Sequence, residues 1–228
     1  EPPKFAHIPM ILGTDRSRMS KRHGATSISE YRQMGFLPDA LVNYISLLGW
    51  APSGDREVLP ITEIIKEFTL EKVGKTGAVF DINKLTWMNG EYIRARRPED
   101  LAAAIVPELK EKGVLKDGFD GARLAEAVKL FHPRAKTVRE LADSVAPFFS
   151  EAPEYDEDAV SSVLGKEGAK KKLEDVIDRF SELSDFSAPA LEDCVRKLAA
   201  ESGLKAADLI HPIRVAITGR KVGASLFE

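Results

Sequence analysis

The chain has 228 residues, 43% of them hydrophobic and 30% charged, with a formal net charge of −3. This is enough for one large domain or two to three small ones with an apolar core, and it excludes a uniformly basic nucleic-acid binder while allowing local basic patches. No run approaches the ~20 apolar residues of a membrane span, no signal peptide is visible, and the lone Cys194 excludes an internal disulfide and reads as a buried thiol in a reducing, cytoplasmic compartment.

In chain order, the apolar run "FAHIPMIL" (Phe5 to Leu12) reads as a strand leading into a basic loop. Ser27 and Glu30 have capping-box spacing and start a short helix that Gly35 ends. Pro38 opens a second helix with Leu41, Val42, Ile45 and Leu48 on one face and Gly49 as its stop. A loop, "APSGDRE", precedes a helix near Ile61 to Phe68, and "VGKTGAVFD" reads as a Gly-rich turn. Asp81 is placed to cap the helix "INKLTWMNGEYIRAR", in which Asn89-Gly90 is a candidate interruption. Pro98 restarts helix, and further helices are expected near 121–132, 137–146, 156–163, 167–183, 188–202 and 205–218, with Gly, Pro, Asp and Ser between them. Trp50 and Trp87 follow apolar neighbours and are expected in the core.

The segment "TDRSRMSKRHGATS" carries Arg16, Arg18, Lys21 and Arg22 within seven residues, with no acid between Asp15 and Glu30. Three uses fit such a cluster: phosphate binding at a catalytic centre, backbone binding along a nucleic acid, or simple solvation. Its place directly after an apolar strand favours a ligand site, and the small polar residues beside each cation suit close packing on phosphate oxygens.

Two other stretches are basic at helix ends. "RARR" places Arg94, Arg96 and Arg97 at a helix C-terminus, where cations are favoured with or without a ligand. "HPRAKTVRE" places Arg134, Lys136 and Arg139 at a helix start, where cations are disfavoured and a purely structural reading is less natural. "HPIRVAITGRK" holds Arg214, Arg220 and Lys221 without an acid. The four histidines lack cysteine partners, so no zinc or other metal site is expected. "EAPEYDEDA" reads as a solvated linker and helix start, and "GAKKKLEDV" as an exposed face.

"RMSKR" (Arg18 to Arg22) resembles the second signature of class I aminoacyl-tRNA synthetases, Lys-Met-Ser-Lys-Ser, with Arg last in the glutamyl branch and Arg18 in place of the usual Lys. "MSKRHGATSISEYRQMGFLPDALVNYISLLGW", "FDINKLTWMNGEYIR", "RAKTVRELA" and "HPIRVAITGRKVGASLFE" are similar to bacterial glutamyl-tRNA synthetases, so the resemblance spans nearly the whole chain. It implies a mainly α fold: the C-terminal edge of a class I nucleotide-binding α/β domain, then a helical stem-contact region and an α-helical anticodon-binding domain. The implied bounds are 1–25, 26–103, 104–152 for a first anticodon module and 153–228 for a second.

The resemblance also implies the chemistry: activation of glutamate with ATP to glutamyl-adenylate and transfer to tRNA(Glu), with tRNA(Gln) as a further candidate partner, Mg2+ accompanying ATP, and a monomeric enzyme. Lys21 would be the catalytic cation, with Arg18, Met19, Ser20 and Arg22 completing the ATP-binding loop. Arg94, Arg96 and Arg97 would face the inner corner of the tRNA. Arg134, beside Lys136, matches the arginine that reads the third anticodon base, Arg214 matches an anticodon-contacting arginine, and Leu226 is the closest match in the anticodon-contacting loop. The first class signature, of His-x-Gly-His type, does not occur, and both ends look cut, so this chain is expected to be inactive alone. A non-catalytic tRNA-binding paralogue is the alternative.

Overall fold

The computed structural model describes residues 2–3, 5–20, 22, 24, 27–150, 153–223 and 225–227. They fall into two units: Glu1–Glu108 with His132–Ala142, and Leu109–Phe131 with Asp143–Glu228.

Unit 1 begins with strand β1, Ile11–Leu12, far shorter than the Phe5 to Leu12 run expected to form it. Pro9 offers no N–H to a ladder, Phe5 and Ile8 are 85% and 75% exposed, and among the described residues 5–10 none joins a strand. β1 pairs in parallel with β2, Ala78–Val79, in the register Ile11↔Ala78 and Leu12↔Val79. The end of "VGKTGAV" is therefore strand rather than turn. Gly77 makes it so: a Cβ there would sit 3.0 Å from both the Leu12 side chain and the Met10 carbonyl.

Helix α1, Ile28–Gln33, has the expected capping box: Ser27 accepts from the Glu30 amide, and the Glu30 carboxylate accepts from Ser27 N–H. Helix α2, Pro38–Leu47, buries Ala40, Leu41, Asn43 and Tyr44, whereas Val42 and Ile45, expected on the inner face, are exposed. The buried stripe is rotated because Tyr44 anchors it: its hydroxyl accepts from Asp81 N–H at 2.6 Å and its ring meets Phe80 edge-on at 5.1 Å. After α3, Ile61–Glu67, helix α4 runs unbroken over Ile82–Ala95, capped by Asp81. Asn89-Gly90 does not interrupt it. Tyr31, Phe36, Leu41, Tyr44, Leu85 and Met88 form one cluster of the unit, where each fully buried Leu or Met contributes about 1.5–3 kcal/mol. Trp50 joins Leu59 and Ile64 in a second cluster, but Trp87 is 44% exposed, outside the core that the sequence suggested.

Among the described residues Asn43 and Asn89 are the buried polar ones, both fully enclosed. Asn43 Oδ1 accepts from Leu59 N–H at 2.9 Å, and the Tyr92 hydroxyl lies within hydrogen-bonding distance of Asn43 Oδ1 and Leu59 O. Burial raises the Tyr92 and Tyr44 phenols above their usual range. Helix α5, Pro98–Glu111, carries an interior Pro107.

Unit 2 contains helix α6, Gly121–Phe131, whose inward face is Leu124, Ala125, Ala127 and Val128. Helix α7, Val138–Val145, has its residues to Ala142 in unit 1 and the rest in unit 2, and runs into a single 3₁₀ turn at Ala146–Phe148. Asp156 caps a short α8, Glu157–Ala159, which widens into a π turn at Val160–Leu164. Helices α9, Ala169–Ser181, α10, Ala188–Glu201, and α11, Ala207–Thr218, meet through Val176, Val195, Leu198, Ala199, Leu209 and Ile213. Gly219 ends α11 in the left-handed region. Cys194, expected to be buried, is only half-buried. The helical pattern after residue 98 is thus close to that expected, because these helices obey a single 3.6-residue period.

Candidate nucleic-acid interface

The basic loop hangs from the end of β1. Gly13 N–H donates to Ser17 O at 2.8 Å and Arg16 N–H to Gly13 O at 2.9 Å, closing a tight turn. Arg16 takes φ +60°, a left-handed conformation rare outside glycine and asparagine. Asp15 stabilises the turn by accepting from Ser17 N–H and Ser17 Oγ at 2.9 and 2.7 Å. Beyond the turn, Arg18 bridges Leu12 and Met19 N–H donates to Ile11 O at 3.1 Å. Arg18 and Met19 are thereby held against the strand, Arg18 and Ser20 exposed and Met19 half-buried. The Arg22 guanidinium donates to Ser17 Oγ at 2.8 Å and pairs with Asp15 at 3.4 Å. Lys21, the expected catalytic cation, lies outside the described residues, as does His23.

The "RARR" arginines sit where α4 ends, Arg96 being its C-cap. Each meets a carboxylate: Arg94 pairs with Glu91, Arg96 with Asp39, and Arg97 with Asp100 through two hydrogen bonds of 2.9 and 2.7 Å. The hydrogen bonds from Arg97 hold the Asp100 carboxyl below its ordinary range. Any phosphate approaching these arginines must compete with those acids.

Arg134 and Lys136 lie on the exposed segment that leads into α7. Ala135 between them is buried, so the two basic side chains flank an inward anchor. The Lys136 N–H donates to Glu140 at 2.9 Å and the Glu140 N–H to Thr137 Oγ1 at 3.0 Å, which caps the helix start.

In unit 2, Arg214 and Leu226 line one cavity of about 150 Å³. Its walls include Phe131, Phe148, Ile217 and Val222, with Arg220 at its edge. Phe131 and Phe148 pack edge-to-face at 5.5 Å. A partly buried arginine sharing a cavity with aromatic and aliphatic walls is suited to a flat, partly polar group such as a nucleobase. Leu226 also packs against the α9–α10–α11 cluster, so it is a structural contact as well as a cavity wall. Sequence reasoning did not find the Phe131–Phe148 pair or Ile217, because residues far apart in the chain carry no shared pattern. No helix among the described residues is long and apolar enough to cross a membrane.

Comparison with known proteins divides the chain along its sequence. Residues 1–87 match the model of tRNA synthetases class I (E and Q), catalytic domain, and residues 100–228 match an anticodon binding domain. These matches define a class I aminoacyl-tRNA synthetase region that passes from catalytic-domain sequence into an anticodon-binding domain. The chain is 42% identical over 231 residues to a glutamate–tRNA ligase of Moorella thermoacetica, covering 100% of this chain and 47% of that protein. It is 44% identical over 227 residues to glutamate–tRNA ligase 2 of Caldicellulosiruptor saccharolyticus, with the same coverage of each. A crystal structure of a glutamate tRNA ligase from Elizabethkingia meningosepticum, in complex with its amino acid, superposes with a TM-score of 0.81 at 28% identity, over 100% of this chain and 48% of that one. The chain belongs to the bacterial glutamyl-tRNA synthetase family. It spans about half the length of the curated relatives it matches.

Proposed function

We propose that this chain supplies the second signature loop and the tRNA-reading body of a glutamate–tRNA ligase. The observation that carries the reading is the presence, in one chain, of an RMSKR loop at the end of a parallel strand and a helical anticodon-binding region with an arginine-lined cavity. In the proposed reaction a glutamate carboxylate oxygen attacks the α-phosphorus of ATP, and the bond to the β-phosphate oxygen breaks to release pyrophosphate. Negative charge grows on the leaving phosphates, and fixed cations stabilise it. Lys21 takes that role, as a point charge on a flexible stem, with Arg18 and Arg22 beside it and Met19 and Ser20 shaping the loop. Among the described residues no group of carboxylates, histidines and cysteines could hold a metal ion. Mg2+ would therefore arrive with the ATP phosphates, its usual ligands, and no step is assigned to it.

The tRNA would be read at three places. Arg94, Arg96 and Arg97 meet the inner corner, Arg134 with Lys136 the third anticodon base, and Arg214 with Leu226 the rest of the anticodon. The proposed domain bounds remain 1–25, 26–103, 104–152 and 153–228. Binding to tRNA(Gln) as well as tRNA(Glu), a monomeric state and a cytoplasmic location belong to the same proposal.

Two measurements test it. In an intact enzyme carrying this region, Lys21→Ala is expected to slow glutamate-dependent pyrophosphate exchange by roughly 2–4 kcal/mol of barrier, the scale of one lost transition-state donor, with little change in tRNA affinity. Unchanged exchange would remove Lys21 from the mechanism. In the chain itself, Arg134→Gln is expected to lose roughly 1–3 kcal/mol of discrimination at the third anticodon base. Failure of the chain to bind tRNA(Glu) transcripts at low salt would refute the tRNA-reading role.

A further inference from the structure

The Asn89-Gly90 pair, an apparent helix breaker in the sequence, has a different use in the fold. Asn89 is fully enclosed at the middle of α4, and both ends of its carboxamide are spent on backbone. Its Oδ1 accepts from Leu37 N–H at 2.8 Å, at the N-terminus of α2, and its Nδ2 donates to Lys136 O at 2.6 Å. The partners fix the amide orientation, since an N–H must face the oxygen and a carbonyl must face the nitrogen. Gly90 supports the same docking: a Cβ there would lie 3.7 Å from Ala135 O and from Lys136 Cα. On the other side, Val138 N–H donates to Gly35 O at 2.9 Å, and a Cβ on Gly35 would come within 2.6 Å of Arg139 N.

The segment that carries Arg134 and Lys136 is therefore not positioned by regular structure of its own. It is held at the Lys136 carbonyl by Asn89, at the Lys136 amide by Glu140, and at Val138 by Gly35. We propose that Asn89 is a positioning residue for recognition of the third anticodon base: it sets where the Arg134 segment lies, without touching RNA. This rests on the reading of Arg134 given above. No other side chain of similar size offers both an acceptor and a donor at these points. Aspartate, its isostere, would place a carboxylate oxygen against the Lys136 carbonyl.

The test measures binding of the 228-residue chain to anticodon stem-loop RNAs of tRNA(Glu) that differ at the third or the second anticodon base. Asn89→Asp is expected to cut third-base discrimination about tenfold, the scale of one well-placed arginine contact, while second-base discrimination stays intact. Glu140→Ala, a surface change that frees the Lys136 amide, is expected to lower third-base discrimination by a smaller factor. Glu140→Gln, which keeps an acceptor oxygen, should restore it. An equal loss on every RNA, or full third-base discrimination in Asn89→Asp, overturns the positioning role. Should Asn89→Asp fail to fold, undiminished discrimination in Glu140→Ala overturns it. Arg134→Gln separates the two levels. If that variant keeps third-base discrimination, the Arg134 reading falls and the inference with it. If it loses discrimination while Asn89→Asp does not, only the positioning role is overturned.

Discussion

Unit 1 and unit 2 are held together by different chemistry. Unit 1 joins irregular segments through enclosed side-chain amides: Asn43 takes the Leu59 amide, and Asn89 takes the Leu37 amide and the Lys136 carbonyl. In the α9–α10–α11 core of unit 2 the contacts are apolar, with Val195 and Leu209 fully or almost fully buried and Phe180 and Phe227 packed against the cluster. Helices satisfy their own backbone groups, so apolar stripes alone suffice to assemble them. Segments such as 57–60 and 134–137 have no ladder and need a side chain to take up their buried backbone groups.

The largest effect that sharpens this contrast is expected from Asn89→Leu. It leaves the buried Leu37 N–H and the part-buried Lys136 carbonyl without the Asn89 partner, at about 1–3 kcal/mol for each group fully enclosed, so roughly 3–4 kcal/mol in all. Both tryptophans, Trp50 and Trp87, lie in unit 1, so urea unfolding followed by tryptophan fluorescence reads it directly. A loss under about 1 kcal/mol would mean that the polar joint is dispensable. In unit 2, Leu209→Ala is expected to cost about 3 kcal/mol through transfer and cavity terms, seen in far-UV circular dichroism. Next comes Gly219→Ala, at about 2 kcal/mol. That glycine has φ +72°, and a Cβ would collide with the Glu154 carbonyl. The segment is further tied by Asp156 N–H to Gly219 O at 3.0 Å and Tyr155 Oη to Ala216 O at 2.8 Å. Arg220 and Val222, which line the Arg214 cavity, follow directly in the chain, so under the proposed reading RNA affinity should fall with stability.

A milder change, Asp81→Ala, removes the α4 cap and is expected to cost about 1 kcal/mol, again by fluorescence. The smallest effect tests the paired arginines. Asp100→Asn frees Arg97 from its carboxylate and should slightly raise tRNA affinity, with a salt slope steeper by up to about one unit. The pH dependence has a definite sign. Arg97 depresses the Asp100 carboxyl, so the pair persists above the ordinary carboxylate range and is lost only as pH falls through that lowered value. Between pH 6 and 8, conditions of the binding assay, Asp100 stays ionised and the Asn variant should differ from the parent by a constant factor.

Much of unit 2 was legible because an amphipathic helix repeats its pattern along the chain: α9, α10 and α11 fall inside the expected spans. Local caps were legible as well, as with Ser27–Glu30 and Asp81. What failed were readings that needed a partner. "FAHIPMIL" looked like a strand, yet only Ile11 and Leu12 have β2 beside them. Val42 and Ile45 looked buried, but the Tyr44 anchor turned α2 away from them. Trp87 looked like core because its neighbours are apolar, while its own position on α4 faces outward. At the candidate interface, the basic residues announced themselves by charge, whereas the Phe131–Phe148 wall and the acids facing Arg94, Arg96 and Arg97 did not.

By itself the sequence determined the family, the helical order after residue 98 and where the basic side chains cluster, since signatures, periodicity and charge are properties of neighbours along the chain. Only the tertiary structure decided that Asn89 is a joint rather than a break, that Arg214 and Leu226 share one cavity, and that three arginines near residue 95 are already engaged by carboxylates. A hydrogen-bond partner 47 or 57 residues away leaves no mark on the local pattern, so it emerges only when the chain has folded and buried backbone groups have found their partners.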